Sequence, residues 1–341
     1  MQELLVMVCL LAQPDICQER LLPLPKGAEC PAVAEAAAHR WQEGDDRHRV
    51  AAWRCAPAGS APVLPLTALS AAVLVHQGAP GLPSRENRGA IANLAVVIGE
   101  RSVAVIDAGA SRAQGEALYA AIRAMSDLPI SHLILTHMHP DHSFGAEVFR
   151  EAGAEIIAAP GFAAALEARF DGYLESYGRQ IGAEALLGTR IALPDRGVRE
   201  EVVDLGGQTL VLRAVATAHT DNDLTILHHE SGTLFAGDLV FAGLAPTLDG
   251  ALAGWLGWLS DPPEAVRVVP GHGPASLPWP QGRAATEHYL TALRDQIHAA
   301  LEAGRPMSAV LDDPPPPGEW LDLDMVHPRN AAAAYKELEW E

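Results

Sequence analysis

The sequence predicts an α/β protein in which two β-sheets pack face to face and helices cover their outer sides. Short apolar strands occur in pairs around glycine-containing turns, these pairs fall into two sets, and helical segments lie between and after the sets. Paired neighbouring strands argue against a doubly wound sheet, because parallel strands each need a crossover connection. The 341 residues allow one large core and a small additional module.

The first set of elements is defined by short β-branched runs and two segments with helical spacing of apolar residues. We expect the second of its helices to lie over the functional site as a lid. The predicted elements are strands Leu94–Ile98, Val103–Asp107 and Ile130–Leu135 and helices Arg112–Met125 and Phe162–Tyr177.

The second set repeats the hairpin pattern and ends in a long helix. After it, four consecutive prolines at 314–317 predict an extended surface spacer, and residues 330–340 predict a short terminal helix. The predicted elements of this set are strands Val202–Leu205, Thr209–Ala214, Leu224–Leu227, Thr233–Ala236 and Val266–Val269 and helix Ala284–Ala303.

The amino-terminal residues form a separate unit, which we interpret as a small βαβ-like module. Strand Leu4–Leu11, a turn-rich loop at Gln13–Pro25, helix Ala32–Gln42 and strand Arg49–Arg54 follow one another, and residues 56–62 have the composition of a linker. The expected organisation is a cysteine-containing module at 1–60, a main domain at 66–303 and a carboxy-terminal extension at 304–341.

All four cysteines, Cys9, Cys17, Cys30 and Cys55, lie in this module. An even number in a short segment predicts two disulfides and an oxidising compartment. The alternatives are a structural zinc site, for which the close cysteine spacing is missing, and unpaired thiols in a cytosolic protein. Four cysteines allow three connectivities, of which we expect Cys9–Cys55 with Cys17–Cys30.

The charge and hydropathy exclude some functions. The chain has 43 acidic and 24 basic residues, a formal charge of −19, and no basic cluster, so a nucleic-acid partner is not expected. No segment reaches the ~20 apolar residues of a membrane span. The apolar segment at 4–12 lacks the basic flank and cleavage site of a signal peptide, so any export signal would precede this start.

Four side chains that bind metals fall within six residues directly after the apolar strand Ile130–Leu135. Imidazole nitrogen and carboxylate oxygen are ligands that Zn²⁺ prefers, and loops at strand ends are where α/β folds place their chemistry. The H-x-H-x-D-H pattern therefore predicts a metal site. Its residues are His137, His139, Asp141 and His142.

Three further motifs follow in order. They are Ala218-His219-Thr220-Asp221-Asn222-Asp223, Phe235-Ala236-Gly237-Asp238-Leu239 and Val269-Pro270-Gly271-His272-Gly273-Pro274. With the first motif they resemble the metallo-β-lactamase superfamily, over residues from about 73 to about 300. The resemblance implies the αβ/βα four-layer sandwich for the catalytic domain.

The resemblance also implies two bound zinc ions, with iron and manganese as the alternative metals, and a metal-bound hydroxide that attacks an acyl or ester carbon of a small-molecule substrate. Asp141 and Asp238 are the implied catalytic residues, Asp141 by orienting the nucleophile. The implied ligands are His137, His139 and His219 for one ion, Asp141, His142 and His272 for the second, and Asp238 as the bridge.

Two residues beyond the ligands are expected to support the metal site. Asp107 and Thr220 are candidates for hydrogen bonding to the ligating imidazoles, which usually need a partner for their other nitrogen. The remaining histidines, His132 included, are expected to be ordinary surface or hydrogen-bonded residues.

Asp238 and His139 separate branches of the superfamily. An aspartate at 238 is unlike the cysteine or serine of true zinc β-lactamases, and a histidine at 139 is unlike the glutamate of flavodiiron proteins. Met7-Val8-Cys9-Leu10-Leu11, Trp53-Arg54-Cys55 and the segment 335–340 resemble the quinoprotein relay system zinc metallohydrolases, a branch related to the hydrolase of sulfur-oxidation clusters. That resemblance implies a periplasmic location, with the cytoplasm as the alternative, and a quinoprotein dehydrogenase partner.

Two other functions stay open at this point. A glyoxalase II-like thioesterase would need a basic glutathione-binding surface late in the chain, where only Arg305, Arg329 and Lys336 are isolated candidates. A docking or maturation factor would use the metal only to stabilise a surface for a quinoprotein. Turnover of a simple ester or thioester separates the hydrolases from the docking factor.

Overall fold

Two β-sheets face each other at the centre of the molecule, and helices cover the outer side of each. The structure is a computed structural model and describes residues 2–25 and 27–340. One apolar core lies between the two sheets, and one lies between each sheet and its helices. The predicted four-layer αβ/βα sandwich is confirmed.

The first sheet has seven strands in the order β10-β9-β8-β7-β6-β5-β4. Strands β4 to β7 pair antiparallel, and β7 to β10 pair parallel. Its central strands are almost entirely apolar because both of their faces are covered. The strands are β4 (Thr67–Ala68), β5 (Val73–His76), β6 (Leu94–Ile98), β7 (Val103–Ile106), β8 (Ile130–Ile134), β9 (Glu155–Ala158) and β10 (Arg196–Gly197).

The second sheet has six strands in sequence order, all antiparallel except for the parallel pair of its fourth and fifth strands. The predicted hairpins of the second set all occur here. The strands are β11 (Glu200–Asp204), β12 (Thr209–Ala214), β13 (Leu224–His228), β14 (Thr233–Phe241), β15 (Arg267–His272) and β16 (Leu277–Pro278).

The helices form the two outer layers. The first four in the list below accompany the first sheet, and the last four accompany the second sheet. Short 3₁₀ turns at Ala183–Leu186 and Gln281–Arg283 connect elements. The helices are α2 (Arg112–Met125), α3 (Pro140–Ser143), α4 (Ala146–Glu151), α5 (Phe162–Ile181), α6 (Leu252–Ser260), α7 (Ala284–Glu302), α8 (Met307–Val310) and α9 (Leu323–Leu338), and α1 belongs to the module described next.

The amino-terminal module contains one strand more than the sequence predicted. Its elements are strand β1 (Gln2–Leu10), strand β2 (Cys17–Leu22), helix α1 (Cys30–Gln42) and strand β3 (His48–Pro57). Strand β1 pairs antiparallel with both β2 and β3, so the βαβ-like interpretation is wrong. Strand β2 was not predicted because its first part is polar. Arg20 in that part is nevertheless buried, and it donates a hydrogen bond to the carbonyl of Leu187 in the main domain.

The cysteines form two disulfides, as the cysteine count predicted, but with a different connectivity. Cys9 is bonded to Cys17, and Cys30 is bonded to Cys55. The expected pairing was wrong because Cys9 and Cys17 are directly opposite each other in the β1–β2 hairpin, a strand pair absent from the predicted module. Disulfides are compatible with an extracytoplasmic location.

Peptide mapping of unreduced protein should recover the Cys9–Cys17 and Cys30–Cys55 peptides. The double variant Cys30→Ser/Cys55→Ser should lower the free energy of unfolding by about 1 kcal/mol more than Cys9→Ser/Cys17→Ser, because its bond closes a loop of 25 residues rather than 8. Urea unfolding of both variants measures this difference. Four free thiols in protein isolated from an oxidising compartment would contradict the pairing.

The carboxy-terminal helix is longer than expected. Helix α9 begins at Leu323 rather than near 330, and contains Pro328. The prolines at 314–317 lie in neither helix nor strand, as predicted. In the described ranges 2–25 and 27–340, no helix is long and apolar enough to cross a membrane.

Candidate metal centre

The H-x-H-x-D-H segment lies at the carboxyl end of β8, where the chain turns into α3. His139 has extended backbone angles and precedes the helix, and Pro140 occupies its first turn. Proline is favoured there because its fixed φ suits the helix and the missing N–H would be unpaired anyway. This sharp turn directs the side chains of His137 and His142 toward the same point.

Two glycines make room for Asp238 in strand β14. Gly237 has a φ of +51°, and a Cβ there would collide with the side chain of Thr136. A Cβ on Gly271 in β15 would overlap the carboxylate of Asp238 itself. Gly271 therefore leaves the space that the Asp238 carboxylate fills, and Gly237 lets the strand pass close to Thr136 at the end of β8.

Three histidines form the first cluster. The Nδ1 atom of His139 lies 3.1 Å from Nε2 of His137 and 3.1 Å from Nε2 of His219. Oδ2 of Asp238 lies 3.8 Å from His137 Nε2 and 3.5 Å from His219 Nε2. The four ligand atoms lie within 4.8 Å of one another, a spacing that could hold one metal ion.

Asp141, His142 and His272 form the second cluster. Oδ2 of Asp141 lies 3.5 Å from His142 Nε2 and 3.4 Å from His272 Nε2. The Asp238 oxygens are 3.2 Å from both imidazoles, Oδ1 from His142 and Oδ2 from His272. The structure thus brings all seven sequence-predicted residues together, in the expected two groups, with Asp238 between them.

Asp107 is hydrogen-bonded directly to a ligand of the second group and, through Thr136, contacts a ligand of the first group. Its Oδ2 accepts hydrogen bonds from His142 Nδ1 at 2.7 Å and from the hydroxyl of Thr136 at 2.8 Å. The Thr136 oxygen is in turn 3.1 Å from Nδ1 of His137. Asp107 has a φ of +59°, a left-handed conformation that aspartate tolerates better than most residues. As expected, Asp107 is an imidazole partner.

The remaining histidines of the two groups have other oxygen partners. His219 Nδ1 is 2.6 Å from the carbonyl of Thr247, and His272 Nδ1 is 3.0 Å from that of Ile91. His139 Nε2 is 3.2 Å from Oδ2 of Asp249. A proton held on each of these outer nitrogens leaves the inner nitrogen's lone pair facing the cluster.

Thr220 does not have the expected role. Its hydroxyl donates to Oδ1 of Asp223 at 2.6 Å, and its backbone N–H donates to Oδ2 of the same carboxylate. The loop after β12 therefore uses Thr220 to fix its own shape, and His219 takes its partner from Thr247 instead.

Three polar side chains around the clusters were not predicted from the sequence. Asp249 was not considered because it lies in a loop with no motif. The Tyr177 hydroxyl donates to Oδ1 of Asp141 at 3.3 Å, and the Tyr173 ring lies 6.3 Å from that of His139. Both tyrosines belong to α5, so the helical period was the only sequence signal that could place them on one face. The helix expected as a lid does lie beside the site.

Burial and neighbouring charges shift the imidazole pKa values in opposite directions in the two groups. Burial holds the pKa of His137 well below its usual value and lowers the pKa of His219 to about 3, so both are neutral. Burial also opposes protonation of His142 and His272, but Asp238 and the other carboxylates outweigh it and raise both pKa values. His272 and His142 in turn hold the pKa of Asp238 well below its usual range.

The residues present fit a pair of divalent cations. His142 Nε2 and Asp238 Oδ1 are buried 3.2 Å apart but are not aligned for a hydrogen bond, and neither has another partner, an arrangement that is costly unless another group satisfies these atoms. A set of five imidazoles and two carboxylates matches the ligand preferences of Zn²⁺. Metal binding would displace the protons that the carboxylates retain on the second group.

Histidines outside the motifs lie elsewhere in the fold. His132 in β8 is 3.7 Å from Glu155, His76 hydrogen-bonds to the carbonyl of Pro65, and His228 hydrogen-bonds to Gln208. None of these three belongs to either cluster. Their assignment as ordinary histidines agrees with these contacts.

Comparison with known proteins agrees with this geometry. The sequence profile of the metallo-β-lactamase superfamily matches residues 88–320, more than half of the chain. No curated protein is similar enough in sequence to be matched.

Solved structures share the fold at low sequence identity. A metallo-β-lactamase from Pontibacter korlensis is 20% identical, with a TM-score of 0.54 over 67% of this chain and 99% of that one. The stereoselective inverting sec-alkylsulfatase Pisa1 from Pseudomonas sp. is 14% identical, with a TM-score of 0.61 over 81% of this chain and 50% of that one. These structures share the fold, and the profile match over more than half of the chain shows that the chain belongs to the metallo-β-lactamase superfamily of metal-dependent hydrolases.

Proposed function

We propose that the protein is a dinuclear zinc hydrolase that cleaves an ester, thioester or related acyl bond of a small substrate. The observation that carries the proposal is the position of Asp238, whose two carboxylate oxygens face two separate groups of inward-pointing ligand atoms. A carboxylate in that position can be shared by two cations, as the superfamily resemblance implies.

The chain would hold one ion with His137, His139 and His219, and the other with Asp141, His142 and His272. Zinc bound there would supply Lewis acidity and lower the pKa of water to about 7. Iron and manganese are the alternative metals for the same ligands.

The protein's own groups preorganise this site. Tyr177 holds one oxygen of Asp141 by its hydrogen bond, so the other oxygen faces His142 and His272. Asp141 is therefore fixed for the role of orienting the nucleophile. The apolar surroundings strengthen each of these electrostatic contacts by excluding water.

We infer that the substrate approaches the ligands from the side of His139. The His139 side chain is 16% exposed, whereas the other ligands of the two groups are buried. Asp249, which is 37% exposed, and Tyr173 of α5 flank His139. A small acyl substrate would reach the ligands over His139, between α5 and the loop that contains Asp249.

The proposal also includes the cellular location of the enzyme and its protein partner. The two disulfides support export, and the resemblance of the flanking segments supports a periplasmic role beside a quinoprotein dehydrogenase. A glyoxalase II-like thioesterase is the alternative hydrolase, and a metal-stabilised docking factor for a quinoprotein is the alternative from another class.

Turnover of simple substrates tests the proposal. Zinc-loaded protein should hydrolyse p-nitrophenyl acetate or an acyl thioester, and a chelator should abolish that activity reversibly. His137→Ala and His272→Ala should each lower kcat/KM by more than ~100-fold, because each removes a direct ligand from a different group.

The matched control is His132→Ala, which removes a histidine of β8 that lies outside both clusters, and this variant should keep its activity. Zinc-loaded protein that hydrolyses no ester or thioester, yet binds a quinoprotein dehydrogenase, would reject the hydrolase and support the docking factor.

A further inference from the structure

A single loop supplies the outer partners of two histidines in the first cluster. The Thr247 carbonyl accepts from His219 Nδ1, and the Asp249 carboxylate lies against His139 Nε2. The backbone N–H of Asp249 also donates to the carbonyl of His219. The position of residues 246–250 therefore sets the orientation of both imidazoles.

This loop has no regular secondary structure of its own and depends on α9. The Asn330 side chain accepts from the N–H of Leu248 at 2.9 Å and donates to the carbonyl of Pro246 at 2.6 Å. Asn330 also donates to the Tyr289 hydroxyl at 2.9 Å and is completely buried. Its amide thus bonds the backbone on both sides of Thr247.

The flanks of the loop are held by the same carboxy-terminal segment. Ala245 donates to the carbonyl of Leu321, and Leu321 donates to that of Gly243. The carboxylate of Glu337, near the end of α9, accepts from the N–H groups of Leu252 and Ala253 at 2.7 and 2.9 Å. These acceptors satisfy the free N–H groups at the start of α6.

We propose that Asn330 is a positioning residue for the metal group His137, His139 and His219, acting through the 246–250 loop. The inference rests on the proposed function in so far as that group holds a metal ion. Asn330 lies beyond residues 88–320, the part of the chain that matches the superfamily profile. The α9 helix thus completes the metal centre from outside that part.

An asparagine amide meets the hydrogen-bonding needs of this position. It must offer one acceptor and two donors at once, in a site closed to water. Alanine would leave the N–H of Leu248 and the carbonyl of Pro246 buried without partners, a loss that the loop can relieve only by shifting. Aspartate would keep the acceptor for Leu248 but place an oxygen against the carbonyl of Pro246.

Zinc titration against a competing chelator tests this role. Asn330→Ala should weaken one of the two zinc sites by ~10–100-fold, the usual effect of losing an outer-shell contact, and leave the other site near its wild-type affinity. Asn330→Asp should also weaken zinc binding at that site, and it replaces Asn330→Ala in the test if the alanine variant does not fold.

The control is Val326→Ala, which removes buried apolar atoms of α9 but no side-chain hydrogen bond to the loop. It should lower thermal stability but keep both zinc affinities within about twofold. The positioning role is overturned if the Asn330 variants match wild type, or if they weaken both sites equally. Wild-type protein that binds zinc but hydrolyses nothing would reject only the proposed function, because the titration would still decide the role of Asn330. Wild-type protein that binds no zinc would reject both.

Discussion

Asp238→Ala is expected to bind one zinc ion per chain instead of two and to lose more than ~100-fold in kcat/KM. The Asp238 oxygens lie 3.2 to 3.8 Å from imidazole nitrogens of both ligand groups. The substitution also takes away the carboxylate that does most to raise the pKa of His142 and His272 against the effect of burial. Direct ligands matter more than outer partners, whose loss costs ~10–100-fold. Metal analysis and steady-state kinetics measure the two effects.

The control for this variant is Asp204→Ala. Asp204 is an exposed carboxylate of the second sheet that pairs with Arg101 at the surface, so both metal content and kcat/KM should stay at wild-type values. An Asp238→Ala protein that still binds two zinc ions and turns over normally would exclude a shared position for this carboxylate.

Arg112→Met is expected to lower the free energy of unfolding by about 3–5 kcal/mol, the usual cost of removing one partner from a buried ion pair. The Arg112 guanidinium is 1% exposed and bonds to Glu116 and Glu151 at 2.7 Å. It also donates to the carbonyl of Leu21 in strand β2, and thereby joins the amino-terminal module to the main domain. Without it, the buried Glu116 and the partly buried Glu151 would lose the cation that lies between them. Urea unfolding measures the loss.

An exposed pair on the same protein provides the comparison. Arg101 lies 2.7 Å from Asp204, but both side chains are more than half exposed. Arg101→Ala should therefore change the free energy of unfolding by less than ~1 kcal/mol. Equal losses in Arg112→Met and Arg101→Ala would show that the buried network does not hold the module in place.

The parts of the fold that the sequence predicted well are those determined by local pattern. Helix α2 begins and ends where predicted, because Ser111 caps it and its apolar residues recur at helical spacing. Strands β6 and β12 also have the predicted bounds. In each of these elements, the residues that determine its bounds lie within the element or directly next to it.

The metal ligands were predictable for a similar reason. His137 to His142 lie in one short segment, so their convergence follows from a single turn after β8. The later ligands, His219, Asp238 and His272, could be named only because the motifs around them resemble a known family. Residue types alone would not have distinguished them from the other histidines and aspartates.

The errors and omissions involve contacts between distant segments. Strand β2 was overlooked because Arg20 is polar, and its burial depends in part on the distant Leu187 carbonyl of the main domain. The disulfide pairing depended on that strand. Asn330 and the Thr247 carbonyl carry no motif at all, since their roles come from a helix packed against a loop more than 80 residues earlier in the chain.

The most direct test of the two-zinc site is a crystal structure of zinc-loaded protein with anomalous diffraction measured at the zinc edge. We expect two anomalous peaks per chain, one among His137, His139 and His219 and one among Asp141, His142 and His272, with Asp238 bound to both. A single peak, or peaks away from these residues, would contradict a site with two zinc ions bridged by Asp238.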